Sequence, residues 1–295
     1  MSGHLIMGIV NLTPDSFYSG SRVSGADALA RIRQMYEDGA SVVDLGACST
    51  RPGAPQPSLE EEWQRLEPVL REIAGYTPTG DSGRFAPSGP SHCPVGSGPL
   101  PLYSSGGGQA PVGVYPPISI DTYRPEIVRR AYDIIGPFIV NDVGGGEPLM
   151  LHAVGELGLP YIAMHGRVPK GDVIEDILDF FRDFAQKADA AGIKDWILDP
   201  GFGFGKDIGQ NYEVLRRLEE LQAAGKEILV GISRKSMIYK VLGTTPEEVM
   251  PQTLALEMIA LLKGATWLRV HDVKETAGMV KVYSTMYTSS PGAAK

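Results

Sequence analysis

Eight short apolar segments, each followed by a stretch with helical periodicity, constrain the fold of this chain more than any other feature. The segments are 5–10, 42–46, 118–121, 138–141, 161–164, 196–199, 228–233 and 266–270. Segments that are apolar throughout suit parallel strands, which are buried on both faces of the sheet. An open doubly wound sheet would show the same alternation, but eight regular units favour closure. We therefore predict an α/β fold, a single (β/α)8 TIM barrel over residues 1–288.

The first two helices carry recognisable signals. Residues 24–38 place apolar side chains at helical spacing. The second helix begins at Ser58, and Glu61, three positions later, completes a capping box in which each side chain bonds the other residue's backbone N–H. Its apolar stripe runs from Leu59 to Ile73.

One segment departs from this pattern. Residues 77–117 hold nine Gly and nine Pro in 41 positions, and only Asp81 and Arg84 among them are charged. Such a composition buries too little apolar surface to offset the entropy of ordering. We interpret it as a flexible insert between the second helix and the third strand, with a partner-docking segment as the alternative. Without it 254 of the 295 residues remain, close to the length of about 250 that is usual for a TIM barrel. Residues 289–295 are expected to form a disordered tail.

Charge and cysteine content narrow the function. A formal net charge of −8 argues against a nucleic-acid binder, because such proteins depend on neutralising phosphates. The two cysteines, Cys48 and Cys93, have neither disulfide-framework nor zinc-site spacing. No apolar run approaches the roughly 18 residues of a membrane span, and no export signal is visible at the N-terminus. We expect a soluble cytoplasmic protein without nucleic-acid or membrane partners.

Polar residues follow almost every predicted strand. In a TIM barrel the catalytic groups lie at the carboxyl ends of the strands and in the loops after them. The residues at these positions are Asn11, Asp44, Thr50, Arg51, Asp121, Asn141, Asp142, Met164, His165, Asp199, Ser233, Arg234, Lys235, Arg269 and His271. Each residue alone is a weak signal, but their shared position predicts a ligand site at this end of the barrel.

The residue types suggest a ligand with two different ends. Carboxylate, amide and ammonium groups suit a polar heterocycle that presents N–H donors and a carbonyl; these are Asp121, Asn141, Asp199 and Lys235. An amide oxygen and cationic groups suit phosphates and a hard metal ion; these are Asn11, Arg51, Arg269 and His271. The residue types alone do not name the reaction.

Seven ordered segments resemble the signatures of the dihydropteroate synthases. They are MGIVNLTPDSF (7–17), DLGACSTRPGA (44–54), SIDTYRPEI (119–127), IVNDVGGG (139–146), ILDPGFGFGKD (197–207), GISRKSMI (231–238) and LRVHDVKE (268–275). Apart from the Gly/Pro-rich insert, the resemblance covers almost the whole chain. Ser19 stands where the family usually has an acidic residue, and Gly166 where it has the second Met of a Met-His-Met run.

The resemblance implies a set of site residues. The pterin pocket would consist of Asp121, Asn141, Met164, Asp199, Phe204 and Lys235. The p-aminobenzoate side would consist of Asp15, Phe17, Thr50, Arg51, Pro52 and Ser233. Phosphate groups would be bound by Asn11, Arg51, Arg269 and His271, and Mg²⁺ by Asn11. The catalytic residues among these would be Asp121, Asp199, Lys235, Arg269 and His271.

The resemblance also implies a reaction in folate biosynthesis. The enzyme would condense 6-hydroxymethyl-7,8-dihydropterin pyrophosphate with p-aminobenzoate to give 7,8-dihydropteroate. Pyrophosphate would leave before the aniline nitrogen attacks. The protein would be a homodimer formed through the late helices. A pterin-binding methyltransferase that acts with a corrinoid protein is the alternative, although it has no need of the SRK and RVH motifs. A catalytically inactive pterin-binding module is a second alternative.

Several polar residues also have a structural interpretation. Asp44 could be a buried residue that caps neighbouring loops, so we leave it out of the predicted site. We assign Asp142 a structural role, and His165 is as consistent with packing in the barrel as with binding a ligand. Asp199 could belong only to an Asp-Pro-Gly turn, but the GFGFGK segment that follows favours a site.

Overall fold

A computed structural model describes residues 4–12, 25–48, 56–75 and 117–288 of the protein. The strands are β1 (Leu5–Asn11), β2 (Val42–Gly46), β3 (Ile118–Asp121), β4 (Ile139–Asp142), β5 (Tyr161–Met164), β6 (Trp196–Asp199), β7 (Leu229–Val230) and β8 (Trp267–Val270). The α-helices are α1 (Gly25–Glu37), α2 (Leu59–Gly75), α3 (Pro125–Ile135), α4 (Pro148–Leu157), α5 (Val173–Ala190), α6 (Ile208–Arg216), α7 (Ser236–Leu242), α8 (Met250–Leu262) and α9 (Val273–Thr288). Two 3₁₀ helices cover Leu218–Ala224 and Pro246–Glu248.

The strands are parallel and form one sheet, in the order β6-β5-β4-β3-β2-β1-β8-β7. An isolated parallel bridge between Leu198 and Ile228 brings β6 to β7. The sheet is thereby nearly closed, with helices between successive strands along the chain. The predicted TIM barrel is confirmed.

The predicted strand 228–233 is wrong in extent. Only Leu229 and Val230 form β7, where they pair with β8. The chain then enters a turn that contains Arg234, a non-glycine residue with a φ of 54°. This left-handed conformation is incompatible with an extended strand. The other predicted strands agree with the structure to within one residue at each end.

Seven apolar side chains fill the inside of the barrel: Met7, Val42, Ile139, Ile162, Ile197, Leu229 and Trp267. They come from seven different strands, and none is more than 1% exposed. Four of them are the first residue of their strand, so the packed interior lies toward the amino ends of the strands. A larger apolar cluster packs the helices against the outside of the sheet. The polar carboxyl ends of the strands are therefore the part of the barrel left for a ligand.

The start of α2 agrees with its predicted capping box. The backbone N–H of Ser58 donates to Glu61 Oε2 at 2.7 Å, and the backbone N–H of Glu61 donates to Ser58 Oγ at 3.2 Å. Apart from Pro117, the Gly/Pro-rich insert lies outside the described residues, as does the tail 289–295. Among the helices that the structure describes, none has both the length and the apolar character needed to span a membrane.

Glu257, on α8, is a buried carboxyl group between two helices. Burial raises its pKa from 4.5 to about 8; a hydrogen bond from the Thr276 hydroxyl at 3.0 Å lowers the pKa, and the nearby Asp272 raises it. Its Oε1 atom has no hydrogen-bond partner within the described residues. The folded protein therefore keeps this group protonated at neutral pH.

Replacing Glu257 by Gln is expected to raise the free energy of unfolding at pH 8 by about 1–2 kcal/mol. The folded-state pKa of about 8 lies above the ordinary value of 4.5, so the unfolded chain releases the proton first and stability falls between these pH values. The variant should lack this fall. Urea unfolding at pH 5 and pH 8 measures it, with the exposed Glu275 changed to Gln as the control. An unchanged pH dependence in Glu257→Gln would contradict the expectation.

Candidate active site

The carboxyl ends of the strands bring four of the predicted residues to one end of the barrel. Asp121 pairs with Asn141 across β3 and β4, and Met164 pairs with Asp199 across β5 and β6. All four residues are buried. Two carboxyl groups, an amide and a thioether thus lie on four consecutive strands around the mouth.

Arg269, on β8, links carboxylates from two other strands inside the barrel. Its Nε donates to Asp44 Oδ2 at 2.8 Å, and its Nη2 donates to Asp121 Oδ2 at 2.8 Å. Asn141 Nδ2 donates to the same Asp44 oxygen at 3.1 Å. One buried carboxylate therefore orients both a cation and an amide of the predicted site.

Asp44, which the sequence analysis left out of the predicted site, contacts two of the predicted site residues. Its side chain is fully buried, and its side-chain hydrogen bonds to the described residues come from Arg269 and Asn141 rather than from a loop. A signal was present in the sequence: an aspartate inside a strand that is buried on both faces requires a charged or hydrogen-bonding partner. Sequence alone could not say which of the basic residues that partner is.

The two predicted pterin carboxyls have unusual electrostatic surroundings. Burial raises the pKa of Asp121 to about 7, against the lowering effect of Arg269 and with a further increase from Asp44. Burial also raises the pKa of Asp199, while Lys235 and the N–H of Gly201, which donates to Asp199 Oδ1 at 2.7 Å, lower it. A ligand that offers N–H donors would favour the ionised form of both groups.

Lys235 lies next to this pair. Its ammonium donates to the carbonyl oxygen of Phe202 and lies 4.9 Å from the centre of the Phe204 ring. Burial lowers the pKa of Lys235 to about 8, and the attraction of Asp199 raises it. The structure thus brings Lys235, Asp199 and Phe204 together.

His271 lies near several basic side chains. Its backbone N–H donates to Ser233 Oγ at 3.2 Å. Burial lowers the pKa of His271 to about 3, and repulsion from Arg269, Arg234, Lys235 and Arg31 contributes to this. The imidazole is therefore neutral at pH 7, which corrects its grouping with cations in the sequence analysis. A neutral imidazole can still donate one N–H to a phosphate oxygen.

Arg234 makes structural contacts, whereas its neighbour Lys235 is a predicted ligand-binding residue. Its guanidinium forms two bonds of 2.8 Å to the carboxylate of Asp272 and also donates to the carbonyl oxygens of Pro246 and Glu247. These contacts hold the turn after β7 in place. Arg234 is thus an anchor for the loop that carries Ser233 and Lys235.

Gly46, the last residue of β2, lies close to both Asn11 and Asp121. A Cβ atom at Gly46 would lie 3.4 Å from Asn11 Oδ1 and 3.8 Å from Asp121 Cβ. Within the described ranges, no three His, Cys, Asp or Glu side chains form a group that could hold a metal ion. The amide oxygen of Asn11 is of a ligand type that suits Mg²⁺, which usually takes few protein ligands and completes its shell with water and substrate phosphates.

The buried His165 and the half-buried Lys206 form a hydrogen-bonded pair that the sequence analysis did not assign to the site. His165 Nε2 lies 2.8 Å from Asp176 Oδ2, and its Nδ1 lies 2.9 Å from Lys206 Nζ. The only sequence signal for Lys206 is its position at the end of the GFGFGK segment. Asp142 accepts bonds from the N–H groups of Gly144 and Gly146, which agrees with the structural role assigned to it.

Five predicted residues cannot be compared with the structure. Asp15, Phe17, Thr50, Arg51 and Pro52 lie outside the described residues, and their assignments stay predictions. The same holds for the departure from the family pattern at position 19.

The described groups can serve two kinds of chemistry at once. Buried carboxyls and an ammonium group can bind the polar edge of a heterocycle. The electropositive region around His271 can accept an anion and stabilise negative charge that develops on it.

The family model, the sequence relatives and the solved structures that match this chain all indicate the same family. The family described as pterin binding enzyme matches residues 7–79 and 110–271. The dihydropteroate synthase of Escherichia coli K12 is 37% identical over 290 residues, covering 94% of this chain and 89% of the relative. The structure also resembles the Xanthomonas albilineans dihydropteroate synthase with 4-aminobenzoic acid, with a TM-score of 0.78 and 32% identity over 98% of this chain and 94% of the other. The Yersinia pestis dihydropteroate synthase with a sulfonamide drug gives a TM-score of 0.80 and 32% identity over 98% and 96% of the two chains.

Proposed function

This chain belongs to the dihydropteroate synthases, pterin-binding transferases of folate biosynthesis, and we propose how its barrel condenses 6-hydroxymethyl-7,8-dihydropterin pyrophosphate with p-aminobenzoate. The observation that carries the proposal is the grouping of the buried Asp121, Asn141 and Asp199 with the half-buried Lys235, close to the basic side chains around His271. One pocket thus suits a pterin and a pyrophosphate joined in a single molecule. The synthase names of the relatives favour this reaction over a corrinoid-dependent methyl transfer.

The pterin would bind through its polar edge and its two faces. The carboxylates of Asp121 and Asp199 would accept hydrogen bonds from ring and amino N–H groups, and Lys235 would donate to the ring carbonyl. Asn141, held by Asp44, would bond a ring nitrogen. Met164 and Phe204 would contact the ring.

The remaining predicted residues would hold the other reactants. Arg269 and His271 would bind the pyrophosphate, together with Asn11 and Arg51. The p-aminobenzoate would lie against Ser233 and the residues outside the described ranges: Asp15, Phe17, Thr50, Arg51 and Pro52. The Xanthomonas albilineans enzyme, which was solved with 4-aminobenzoic acid, supports this substrate class.

The bond between the pterin methylene carbon and the pyrophosphate oxygen would break first, and its electron pair would leave with the oxygen. Donors from Arg269 and His271 would stabilise the charge that develops on that oxygen. The methylene cation is delocalised into the ring, where the carboxylates of Asp121 and Asp199 stabilise it. The amino nitrogen of p-aminobenzoate then forms the C–N bond and loses a proton to water. A dedicated base is unnecessary, because the attached nitrogen is strongly acidic until it loses that proton.

The amide oxygen of Asn11 would be the protein ligand of a Mg²⁺ ion, an ion that favours oxygen donors. When bound, it would neutralise part of the charge on the pyrophosphate. Orienting the pterin would still be the role of Asp121, Asn141, Asp199 and Lys235.

A pyrophosphate-release assay with and without p-aminobenzoate tests the proposal. Release that depends on p-aminobenzoate and yields dihydropteroate in equal amount is expected. Pterin binding without any release would instead indicate the inactive binding module.

The affinity for a pterin without phosphates is expected to be highest between about pH 7 and pH 8. Below the pKa of Asp121, about 7, an acceptor for the pterin N–H groups is lost; above the pKa of Lys235, about 8, the donor to the carbonyl loses its charge. Calorimetric titration from pH 5.5 to 9 measures the profile. Asp121→Asn should move the acidic limb to lower pH, where protonation of Asp199 determines it, and a profile that is flat for the wild type would contradict the expectation.

We propose that the enzyme is a cytoplasmic homodimer. Helices α8 and α9 pack together and expose apolar side chains: Ile259, Leu262, Val282, Met286 and Tyr287. An exposed apolar face of this kind is typical of an interface. Light scattering should find a dimer for the wild type, a monomer for a Val282→Asp/Met286→Asp variant, and a dimer for the control Leu149→Asp, which changes an exposed leucine elsewhere.

The cytoplasmic location is proposed from the cysteine content. The two cysteines, without disulfide-framework spacing, suit a reducing compartment.

A further inference from the structure

The ammonium group of Lys206 bonds the loop that follows β6 to the end of β5. It lies 2.9 Å from both Nδ1 and the carbonyl oxygen of His165, and 3.2 Å from the carbonyl oxygens of Gly201 and Phe204. An ammonium group has three hydrogens, so these four acceptors account for all of its donors. Burial lowers the pKa of Lys206 to about 8, and the attraction of Asp199 raises it.

The contact with Lys206 determines the proton position on His165. Because Nδ1 accepts from an ammonium group, the proton of the neutral imidazole is on Nε2, which donates to Asp176 Oδ2 at 2.8 Å. Burial and the Lys206 charge lower the pKa of His165 to about 4. The ammonium group of Lys206 and the carboxylate of Asp176 are thus joined through the neutral ring of His165. Asp176 also accepts two hydrogen bonds from Arg167.

Two glycines allow the loop to approach the end of β5 this closely. Gly201 and Gly205 have φ values of 72° and 62°. A Cβ atom at either position would clash with a backbone carbonyl oxygen, that of His165 or that of Arg167. The backbone of the loop thus lies directly against the backbone of residues 165–167, and Lys206 bonds across this contact.

The two segments that Lys206 joins both carry predicted pterin contacts. Met164 immediately precedes His165, and Phe204 supplies one of the carbonyl acceptors. The ammonium group of Lys235 also bonds a carbonyl oxygen of this loop, that of Phe202. Two lysines therefore hold the same short loop, and only Lys235 was predicted to bind the pterin.

We propose that Lys206 is a positioning residue, whose ammonium group holds the loop 201–205 against the end of β5 so that Met164 and Phe204 are spaced for a flat pterin ring. This proposal rests on the proposed function, because it assigns the pterin to the space between these side chains. Lys206 itself would not contact the substrate.

Replacing Lys206 by Met tests the proposal, since Met keeps the length of the side chain without its donors. The dissociation constant for the pterin pyrophosphate should rise by about 10- to 100-fold, with a change of about twofold or less in the KM for p-aminobenzoate. Lys194→Met, which changes an exposed lysine, is the matched control and should bind like the wild type. Unchanged pterin affinity in a Lys206→Met variant with a cooperative melt would overturn the proposal. So would a variant that only melts earlier and keeps the wild-type dissociation constant.

The variant Lys206→Arg and an NMR titration of His165 test the same contact independently. If Lys206→Met does not fold, Lys206→Arg retains the charge but places a larger group against the same carbonyls; weaker pterin binding is expected, and wild-type affinity would overturn the proposal. NMR titration of His165 should show a higher pKa in Lys206→Met than in the wild type, because the repulsive charge is gone. An unchanged His165 titration would contradict the proposed contact. A wild-type protein that binds no pterin would contradict the proposed function instead, and the NMR titration would still report on the contact.

Discussion

Replacing Arg269 by Met is expected to destabilise the folded protein by about 3–5 kcal/mol and to weaken every pterin ligand, with or without phosphates. The guanidinium bridges Asp44 and Asp121, and the substitution leaves two buried carboxylates without their common cation. The loss should therefore extend to pterins that carry no pyrophosphate. Urea unfolding and calorimetric titration with a phosphate-free pterin measure the two effects.

A second substitution separates charge from packing in this prediction. Adding Asp44→Asn to Arg269→Met removes one uncompensated carboxylate and should restore part of the stability. Arg182→Met, which changes an arginine whose side chain is 68% exposed, is the control and should alter stability little. A selective loss of affinity for the pyrophosphate substrate, with normal stability, would show that Arg269 acts only on the anion.

Changing Asp199 to Asn is expected to weaken pterin binding by about 2–4 kcal/mol. The shape of the side chain is kept, but the charge that attracts the pterin N–H donors and balances Lys235 is lost. Calorimetric titration at pH 7.5 measures the effect. Asp183→Asn, on the exposed side of α5, is the control. Wild-type affinity in Asp199→Asn would remove this residue from the site and leave it a role in the turn before Gly201.

The fold and the location of the site could be predicted from the sequence because both depend on regular patterns. Eight apolar segments at strand length require a sheet that is buried on both faces, and the barrel then places the strand ends together. Asp121 and Asn141, at the ends of neighbouring strands, are direct register partners for that reason. Strand position alone was sufficient to group them.

The partners of the buried charges could not be predicted in the same way. Asp44 lies two residues before the end of β2, and its pairing with Arg269 depends on the relative position of strands far apart in sequence. The contacts of Lys206 depend on the backbone path of a glycine-rich loop, which no periodic pattern describes. The neutrality of His271 results from burial and surrounding charge, neither of which is local in sequence.

The glycines of the loop after β6 have a consequence for inhibitors of this enzyme. A compound in the proposed pterin site would contact the wall formed by Phe204, and the loop of this residue has no room for a side chain at Gly201 or Gly205, where a Cβ atom would clash with the backbone of residues 165–167. Drug resistance usually requires a substitution that reshapes the binding surface and preserves activity. At these two positions any substitution would push the loop away from β5 and disturb the natural substrate as well. Compounds that use this wall should therefore select for resistance at other positions.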